Sequence, residues 1–254
     1  MAIELLRTVF AWAMSERIIA ANPCAHIRSI PSGTRNLILE RAEDYARLFR
    51  TLDRMEREKR LRAPVADAVR LIALTGCRRG EIANLRWAHV DLKLGLITLP
   101  PAAHKAGRRT GKPRIIGLPS LAQRIISRQT VGNPDSLVFQ PAQGWGPLNL
   151  SHPWRKVRAE AGLPEGIGLH GLRHSLASHM AMNGAEAAEI MTALGHSQLS
   201  TAQRYVHWAQ DARQALAERA ASVVAAGMAA AADDTEGAVV SIATANRGKK
   251  TERS

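Results

Sequence analysis

Apolar residues recur at helical spacing over most of the chain, and this spacing predicts a largely helical protein. In residues 3–20 they stand at every third or fourth position from Ile3 to Ile18. This predicts an amphipathic helix that ends before Asn22-Pro23, because proline disfavours a helical conformation in the residue before it. The same spacing predicts further helices at 39–59 (one charged surface helix or a pair), 64–75, 79–87, 120–130, 149–161, 170–183, 186–194, 200–207 and 210–231, three of them capped by Gly76, Gly184 and Gly195.

Two short apolar segments have the composition of strands instead. Residues 94–99 and 113–118 predict a β-hairpin, and the connection AAHKAGRRTGK between them predicts a positively charged tip. Residues 137–139 predict a short third strand. The expected fold class is therefore mainly α with a small antiparallel β-sheet, an α+β arrangement.

Composition and charge favour a soluble protein with a polyanionic partner. The 254 residues are 46% hydrophobic and 22% charged, which is ordinary for a globular protein. Lys plus Arg number 35 against 22 Asp plus Glu, and this formal charge of +13 favours nucleic acid through the counterions that phosphates release. A basic protein from an organism rich in arginine codons is the alternative interpretation.

Targeting signals and redox features point to the cytoplasm. Cys24 and Cys77 have neither metal-site nor disulfide spacing. The N-terminal segment MAIELLRTVFAWAMSERI lacks the layout of a signal peptide. The longest apolar stretch, residues 220–232, is Ala-rich, interrupted and too short to span a bilayer, so we expect no membrane partner.

Several short motifs contain residue types suited to phosphate chemistry, and each is weak alone. Arg78 could be a surface arginine that pairs with Glu81 one turn later. His170 and Arg173 share one helix face and could form a solvated helix N-terminus. Tyr205 could be a core tyrosine with a satisfied hydroxyl, the usual situation of a helical tyrosine.

The order and spacing of these motifs are more specific. The segments TGCRRGEIANLRWAHVDL, LHGLRHSLASHM and LGHSQLSTAQRYVH resemble the signature of tyrosine recombinases, the phage integrase family. That signature runs from an arginine through a hairpin lysine, His-x-x-Arg and Gly-His to a tyrosine nine residues after that histidine. The resemblance covers roughly residues 37–225 and implies the DNA breaking–rejoining fold of the family's catalytic domain.

The resemblance also implies a division of the chain. Residues 1–29 are similar to the last helix of the family's core-binding domain, followed by a linker at 30–38 and the catalytic domain at 39–225. Residues 226–254 are expected to form a disordered tail of low complexity. Since the rest of the core-binding domain is missing, we expect a truncated chain with weak activity alone.

The residue types fit phosphodiester cleavage without a metal or another cofactor. Arg78 and Arg173 would clamp the scissile phosphate, because a guanidinium fork can hold two phosphate oxygens and stays charged. By resemblance, Tyr205 becomes joined to the 3′ phosphate and His170 acts as general acid/base, since a phenol with a pKa of about 10 needs help to lose its proton. His196, which could otherwise cap a helix, would contact the same phosphate.

The family assigns the leaving-group proton to a lysine on the hairpin. Lys105 stands in a Lys-x-Gly context that resembles this position, whereas Lys112 adjoins the second strand and is expected to contact phosphate. Both could instead bind the backbone non-specifically. Glu81 is expected to orient Arg78 or His170. Further contacts with the DNA backbone are expected from Arg79, Arg108 and Arg109.

We therefore expect a site-specific DNA recombinase that acts on double-stranded DNA as a homo-oligomer, a tetramer on synapsed duplexes, in the cytoplasm and at the nucleoid. A non-cutting DNA-binding regulator, a defective integrase remnant and a type IB topoisomerase-like enzyme are the alternatives. His174, His179 and His207 match no catalytic position of the family and are expected to be solvated or structural.

Overall fold

The computed structural model describes residues 2–27, 37–144, 146–196 and 198–215, together with 217–218, 221–222 and 224–225. The chain divides into two compact units, Met1–Asn36 and Leu37–Ser254. The linker predicted at 30–38 falls largely outside the described residues, and the predicted tail from residue 226 lies entirely outside them.

Helix α1 (Ala2–Ser15) is the main element of the first unit and is shorter than predicted. The prediction of a helix to residue 20 was wrong because Arg17 adopts a left-handed conformation, with φ of 58°. The N–H of Arg17 donates to the Met14 carbonyl at 3.0 Å, and that of Ile18 donates to the Ala13 carbonyl at 2.9 Å. These two bonds form a Schellman cap, which stops the helix without glycine or proline.

The second unit is mainly helical around α3 (Ala63–Thr75). Pro64 lies in the first turn of α3, Gly76 caps it with φ of 62°, and almost every residue from 65 to 73 is buried. This helix packs against neighbours on several sides, which makes it the centre of the main core. The other helices described are α2 (Ala42–Arg57), α4 (Arg79–Ala83), α5 (Gly107–Thr110), α6 (Ser120–Ser127), α7 (Ser151–Glu160), α8 (Leu169–Met182) and α9 (Ala187–Leu194), with single 3₁₀ turns at Trp87–His89 and Pro101–Ala103.

The predicted hairpin is confirmed, and its sheet has a different third strand. Strands β1 (Val90–Asp91), β2 (Leu96–Leu99) and β3 (Arg114–Gly117) form an antiparallel sheet in the order β1-β2-β3. The strand predicted at 137–139 was wrong, because these residues pair with the chain near Arg86 and lie outside the sheet. Arg86 and Leu137 form an isolated bridge, and the Val138 N–H donates to the Leu85 carbonyl at 2.8 Å.

A smaller core lies beside the C-terminal helices. Residues 199–215, here named the tyrosine helix, form one continuous helix where the sequence predicted a break between residues 207 and 210. Ala202, Tyr205 and Ala209 of this helix pack with α8 and α9 through Ala177, Ala181, Ile190 and Leu194. No helix in the described ranges is long and apolar enough to cross a membrane. The fold class is thus mainly α with a small antiparallel sheet, as predicted.

Candidate active site

Three arginines from distant parts of the sequence converge on the C-terminal turn of α9. Arg114 donates to the Ala193 carbonyl at 3.3 Å and Arg173 to the Leu194 carbonyl at 2.5 Å. Arg78 donates to the Gly195 carbonyl at 3.0 Å. The last carbonyls of a helix lack partners within the helix and lie at the negative end of its dipole, so they attract cations. We call these three side chains, with Glu81, the arginine cluster.

Gly195 allows this close approach. It caps α9 in the left-handed conformation, with φ of 65°. A Cβ atom here would lie 2.5 Å from Nε of Arg114. Both the backbone conformation and the absence of a side chain are therefore needed where Arg114 meets α9.

Glu81 joins two members of the arginine cluster. Its carboxylate, only 4% exposed, accepts hydrogen bonds from Arg78 Nη1 at 2.9 Å and Arg114 Nη1 at 2.5 Å. It also accepts the backbone N–H of Arg78 at 2.8 Å, at the start of α4. Burial alone would raise the pKa of Glu81, but the neighbouring charges of Arg114 and Arg78 outweigh burial and lower that pKa. The orienting role predicted for Glu81 on Arg78 has this geometry as support.

The arginine cluster holds surplus positive charge. Three guanidinium groups face one carboxylate, and Arg173, 1% exposed, has no carboxylate within 4 Å in the described part of the chain. Its other hydrogen bond goes to the Gly76 carbonyl at 2.7 Å. Burial, then the charges of Arg78 and Arg114, lower the pKa of Arg173 to about 10, so it stays protonated at neutral pH. A buried cationic excess of this kind is stabilised by an anion.

Tyr205 adjoins this charged region. Its side chain is 6% exposed, and its ring lies parallel to the His196 ring, with centroids 6.0 Å apart and planes at 12°. Because His196 directly follows Gly195, the turn that holds the arginines also places a ring against the tyrosine. The Tyr205 hydroxyl shares a hydrogen bond with Nδ1 of His174. Burial raises the pKa of this phenol, although Arg173 and Arg204 act in the opposite direction.

Three histidines near Tyr205, at positions 170, 174 and 196, have pKa values below the usual value. Burial, together with nearby arginine charges, lowers the pKa of His170 and holds the pKa of both His174 and His196 at about 4. His170 is exposed at the start of α8, and its ring meets that of His174 edge-on, with centroids 4.4 Å apart. Nδ1 of His196 is buried and has no hydrogen-bond partner among the described residues.

Residues 102–112 are here named the basic connection. Unlike the arginine cluster, this segment has exposed lysine and arginine side chains. Lys105, Arg108, Arg109 and Lys112 are all exposed, and neither lysine side chain bonds to any residue in the described ranges. The connection is instead organised by buried His104, whose Nδ1 accepts the Gly107 N–H at 3.1 Å. The structure does not bring Lys105 into contact with Tyr205, so the choice between Lys105 and Lys112 stays a prediction. Arg79, also exposed, donates to the Ser151 hydroxyl.

Two members of this site, Arg114 and His174, were not predicted from the sequence. Arg114 was treated as an ordinary residue of the second hairpin strand, and only its register opposite Leu99, on the buried face of the sheet, could have indicated its burial. His174 was assigned no catalytic role, yet it bonds the Tyr205 hydroxyl. His179, expected to be solvated or structural, is half-buried, and its Nε2 lies 3.0 Å from the Leu39 carbonyl. Across the described residues, no three His, Cys, Asp or Glu side chains lie close enough to hold a metal ion.

Comparison with known proteins agrees with this geometry. The model of the phage integrase family matches residues 41–211, and the chain belongs to that family. It is 29% identical over 213 residues to tyrosine recombinase XerC of Xanthomonas campestris pv. campestris (strain B100), covering 81% of this chain and 62% of the relative. It is 25% identical to tyrosine recombinase XerD of Shewanella oneidensis (strain MR-1), covering 84% and 71%.

Solved structures show the same fold. The structure of the Tn1549 transposon integrase in complex with transposon right end DNA superposes with a TM-score of 0.60 at 15% identity, over 84% of this chain and 78% of that one. The fold is thus that of tyrosine recombinase catalytic domains. The chain spans 62% of the length of the Xanthomonas campestris XerC that it matches.

Proposed function

We propose that this chain is the catalytic part of a site-specific DNA recombinase that cleaves and rejoins DNA through a 3′-phosphotyrosine intermediate at Tyr205. One observation carries the proposal: the C-terminal turn of α9 binds Arg78 and Arg173 through the carbonyls of Gly195 and Leu194, and its next residue, His196, packs on Tyr205. The two arginines that would bind the phosphate and the tyrosine that would attack it are thereby held by one short segment.

The arginine cluster has the hydrogen-bonding capacity for a phosphate. A guanidinium carries five N–H donors, and the side chains of Arg78 and Arg173 each use two of them on protein acceptors. The remaining donors would bind the non-bridging oxygens of the scissile phosphate. Preorganised donors of this type stabilise the charge that develops as phosphorus becomes five-coordinate.

The reaction balances without a metal or a nucleotide cofactor. A neutral histidine beside Tyr205 takes the phenol proton as the Tyr205 oxygen bonds to phosphorus. The bond between phosphorus and the 5′ oxygen breaks, and that oxygen takes a proton from Lys105. Lys105 is exposed in the basic connection, and its side chain bonds to no described residue. This role requires the connection to close on bound DNA. Attack by a 5′ hydroxyl from another strand reverses the chemistry, because the phosphotyrosine bond conserves the energy of the broken phosphodiester.

The proposed partner is double-stranded DNA, bound by a tetramer that joins two duplexes. The net charge of +13 and the exposed Arg79, Arg108, Arg109 and Lys112 support contacts with the DNA backbone. We further propose that residues 1–29 are the last helix of a core-binding domain. The exposure of Leu5, Val9 and Trp12 on α1, at 68%, 48% and 59%, supports this division.

A covalent trap tests the proposal with no assumption about the target sequence. The protein is incubated with a pool of nicked duplexes that carry randomised arms, and covalent adducts are recovered by denaturing electrophoresis and sequenced. We expect adducts that share a sequence motif and disappear in Tyr205→Phe. Binding without adducts, also from the longest reading frame that contains the chain, would instead identify a non-cutting DNA-binding protein. Relaxation of supercoiled plasmid by a monomer would identify a topoisomerase.

A further inference from the structure

The Tyr205 hydroxyl is bonded to a histidine that the family motif does not include. Its partner is Nδ1 of His174, next to Arg173 and one turn after His170 on α8. His170 is exposed, and in the described part of the chain it makes no hydrogen bond with the tyrosine. The histidine predicted to act on the nucleophile and the histidine that contacts it are therefore different residues.

The surroundings of His174 fix its ring against the phenol. The ring is half-buried, lies 5.9 Å from the Tyr205 ring centroid and meets His170 edge-on at 4.4 Å. Arg173 directs its guanidinium to the carbonyls of Gly76 and Leu194. His196 stacks on Tyr205, and its Nδ1 remains without a partner among the described residues. His174 is thus the described side chain in place to receive the phenol proton.

We propose that His174 is a catalytic residue that accepts the Tyr205 proton through Nδ1 as the tyrosine oxygen bonds to phosphorus. This inference rests on the proposed function. The proton moves from the phenol to Nδ1, the phosphorus–5′ oxygen bond breaks, and the leaving oxygen is protonated by the hairpin lysine. His170, exposed one turn earlier, is then available to bind the scissile phosphate.

The protonation state of His174 agrees with this role. Its pKa of about 4, lowered mainly by burial, leaves the ring neutral at pH 7, with one nitrogen lone pair to receive the phenol proton, and makes it a weak base in the free protein. Acceptance through Nδ1 requires that the ring proton lie on Nε2 in the free protein. A bound phosphate would stabilise the imidazolium that forms, because its negative charge favours the protonated ring.

Two variants, to asparagine and to alanine, separate proton transfer from positioning. Asparagine places an amide near the position of Nδ1, so His174→Asn can bond the hydroxyl but cannot take its proton. We expect both His174→Ala and His174→Asn to slow adduct formation by about 10²-fold or more, the usual range for loss of a general base. His207→Ala is the matched control, since His207 is exposed on the tyrosine helix two residues after Tyr205.

A second measurement is independent of cleavage. Nitrogen-15 NMR of histidine-labelled full-length protein reports which ring nitrogen of His174 carries the proton, and His174→Gln assigns the signal. An unprotonated Nδ1 supports the proposal, whereas an Nδ1–H that donates to Tyr205 overturns it. The proposal is also overturned if His174→Asn forms adducts within several-fold of the wild-type rate. That result would show that His174 only positions the Tyr205 hydroxyl. If the wild type forms no adduct, the proposed function fails; if it does and His174→Ala matches it, only the role of His174 fails.

Discussion

The arginine cluster and the basic connection are both positively charged, but their charges lie in opposite settings. In the cluster, Arg78 and Arg114 share the Glu81 carboxylate, and all three arginines bond to the last turn of α9. In the basic connection, the side chains of Lys105 and Lys112 are exposed and bond to no described residue. The difference teaches that the phosphate-binding part of the proposed site is built by the protein itself. The hairpin part, in the proposed function, obtains its partners from DNA.

Removal of the Glu81 charge should have the largest effect on stability. In Glu81→Gln the buried Arg114 loses its counter-charge, and breaking a buried ion pair costs about 3–5 kcal/mol. Urea denaturation measures the loss in the free energy of unfolding. Glu160→Gln is the matched control, because the partly exposed Glu160 pairs with the exposed Arg54 and Arg60, and such surface pairs contribute at most about 1 kcal/mol. Equal losses of unfolding free energy in the two variants would contradict the difference between the buried cluster and a surface ion pair.

Arg173→Lys should mainly affect cleavage. Lysine cannot span the Gly76 and Leu194 carbonyls while also holding a phosphate oxygen, since it lacks the planar fork. Loss of one preorganised donor predicts a decrease of about 10²–10³-fold in the single-turnover rate of adduct formation.

Arg213→Lys controls for a general effect on helix capping. Arg213 also donates to the last carbonyls of a helix, those of Ala181 and Met182 in α8, but is not part of the arginine cluster. Its rate should stay within a few-fold of the wild type. A comparable decrease would show that Arg173 acts by holding the fold together.

Lys105→Ala should separate activity from stability in the basic connection. Loss of the proposed proton donor predicts a rate about 10²-fold lower. Because the Lys105 side chain is exposed and has no partner among the described residues, we expect a change in unfolding free energy within about 0.5 kcal/mol. Rate measurements and urea denaturation on the same variant test both expectations.

Lys112→Ala identifies which lysine is the donor. If Lys112 contacts phosphate, the variant keeps its cleavage rate. The slope of log DNA affinity against log salt concentration then becomes smaller by about 0.9. A reversal of the two phenotypes would assign proton donation to Lys112.

Acid should weaken the fold at the histidines beside the arginine cluster. The pKa of His196, about 4 in the folded protein, lies below its unfolded value of about 6.5. The unfolded chain therefore binds the proton first, and stability is lost as pH falls from about 6.5 towards 4. After allowance for solvent screening we expect a loss on the order of 1 kcal/mol. Denaturation across this pH range should show a smaller loss of stability in His196→Asn than in the wild type. The exposed His207→Asn should show the same loss as the wild type.

Local patterns in the sequence were enough to predict the main elements. Periodicity identified the longer helices and the two hairpin strands, because each depends on neighbours within one turn or one strand, whereas the short α5 lay inside the predicted connection. The left-handed stop at Arg17 and the pairing of residues 137–139 with Arg86 were missed, since backbone caps and isolated bridges leave no periodic signal.

The candidate site depended more on tertiary packing. Spacing grouped His170 with Arg173, and the family resemblance added Arg78, His196 and Tyr205. Neither could place Arg114 or His174, because their partners, Glu81 and Tyr205, lie 33 and 31 residues away. Residues of this kind become visible only when distant segments meet.

The central claim, that Tyr205 is the nucleophile beside a preformed phosphate site, is tested most directly by locating the DNA-linked residue. The chain contains two tyrosines, Tyr45 and Tyr205, so mass spectrometry of the digested adduct gives a clear answer. We predict a nucleotide joined through its 3′ phosphate to the peptide that contains Tyr205. A nucleotide on Tyr45 or another residue, or a linkage through a 5′ phosphate, would contradict the account.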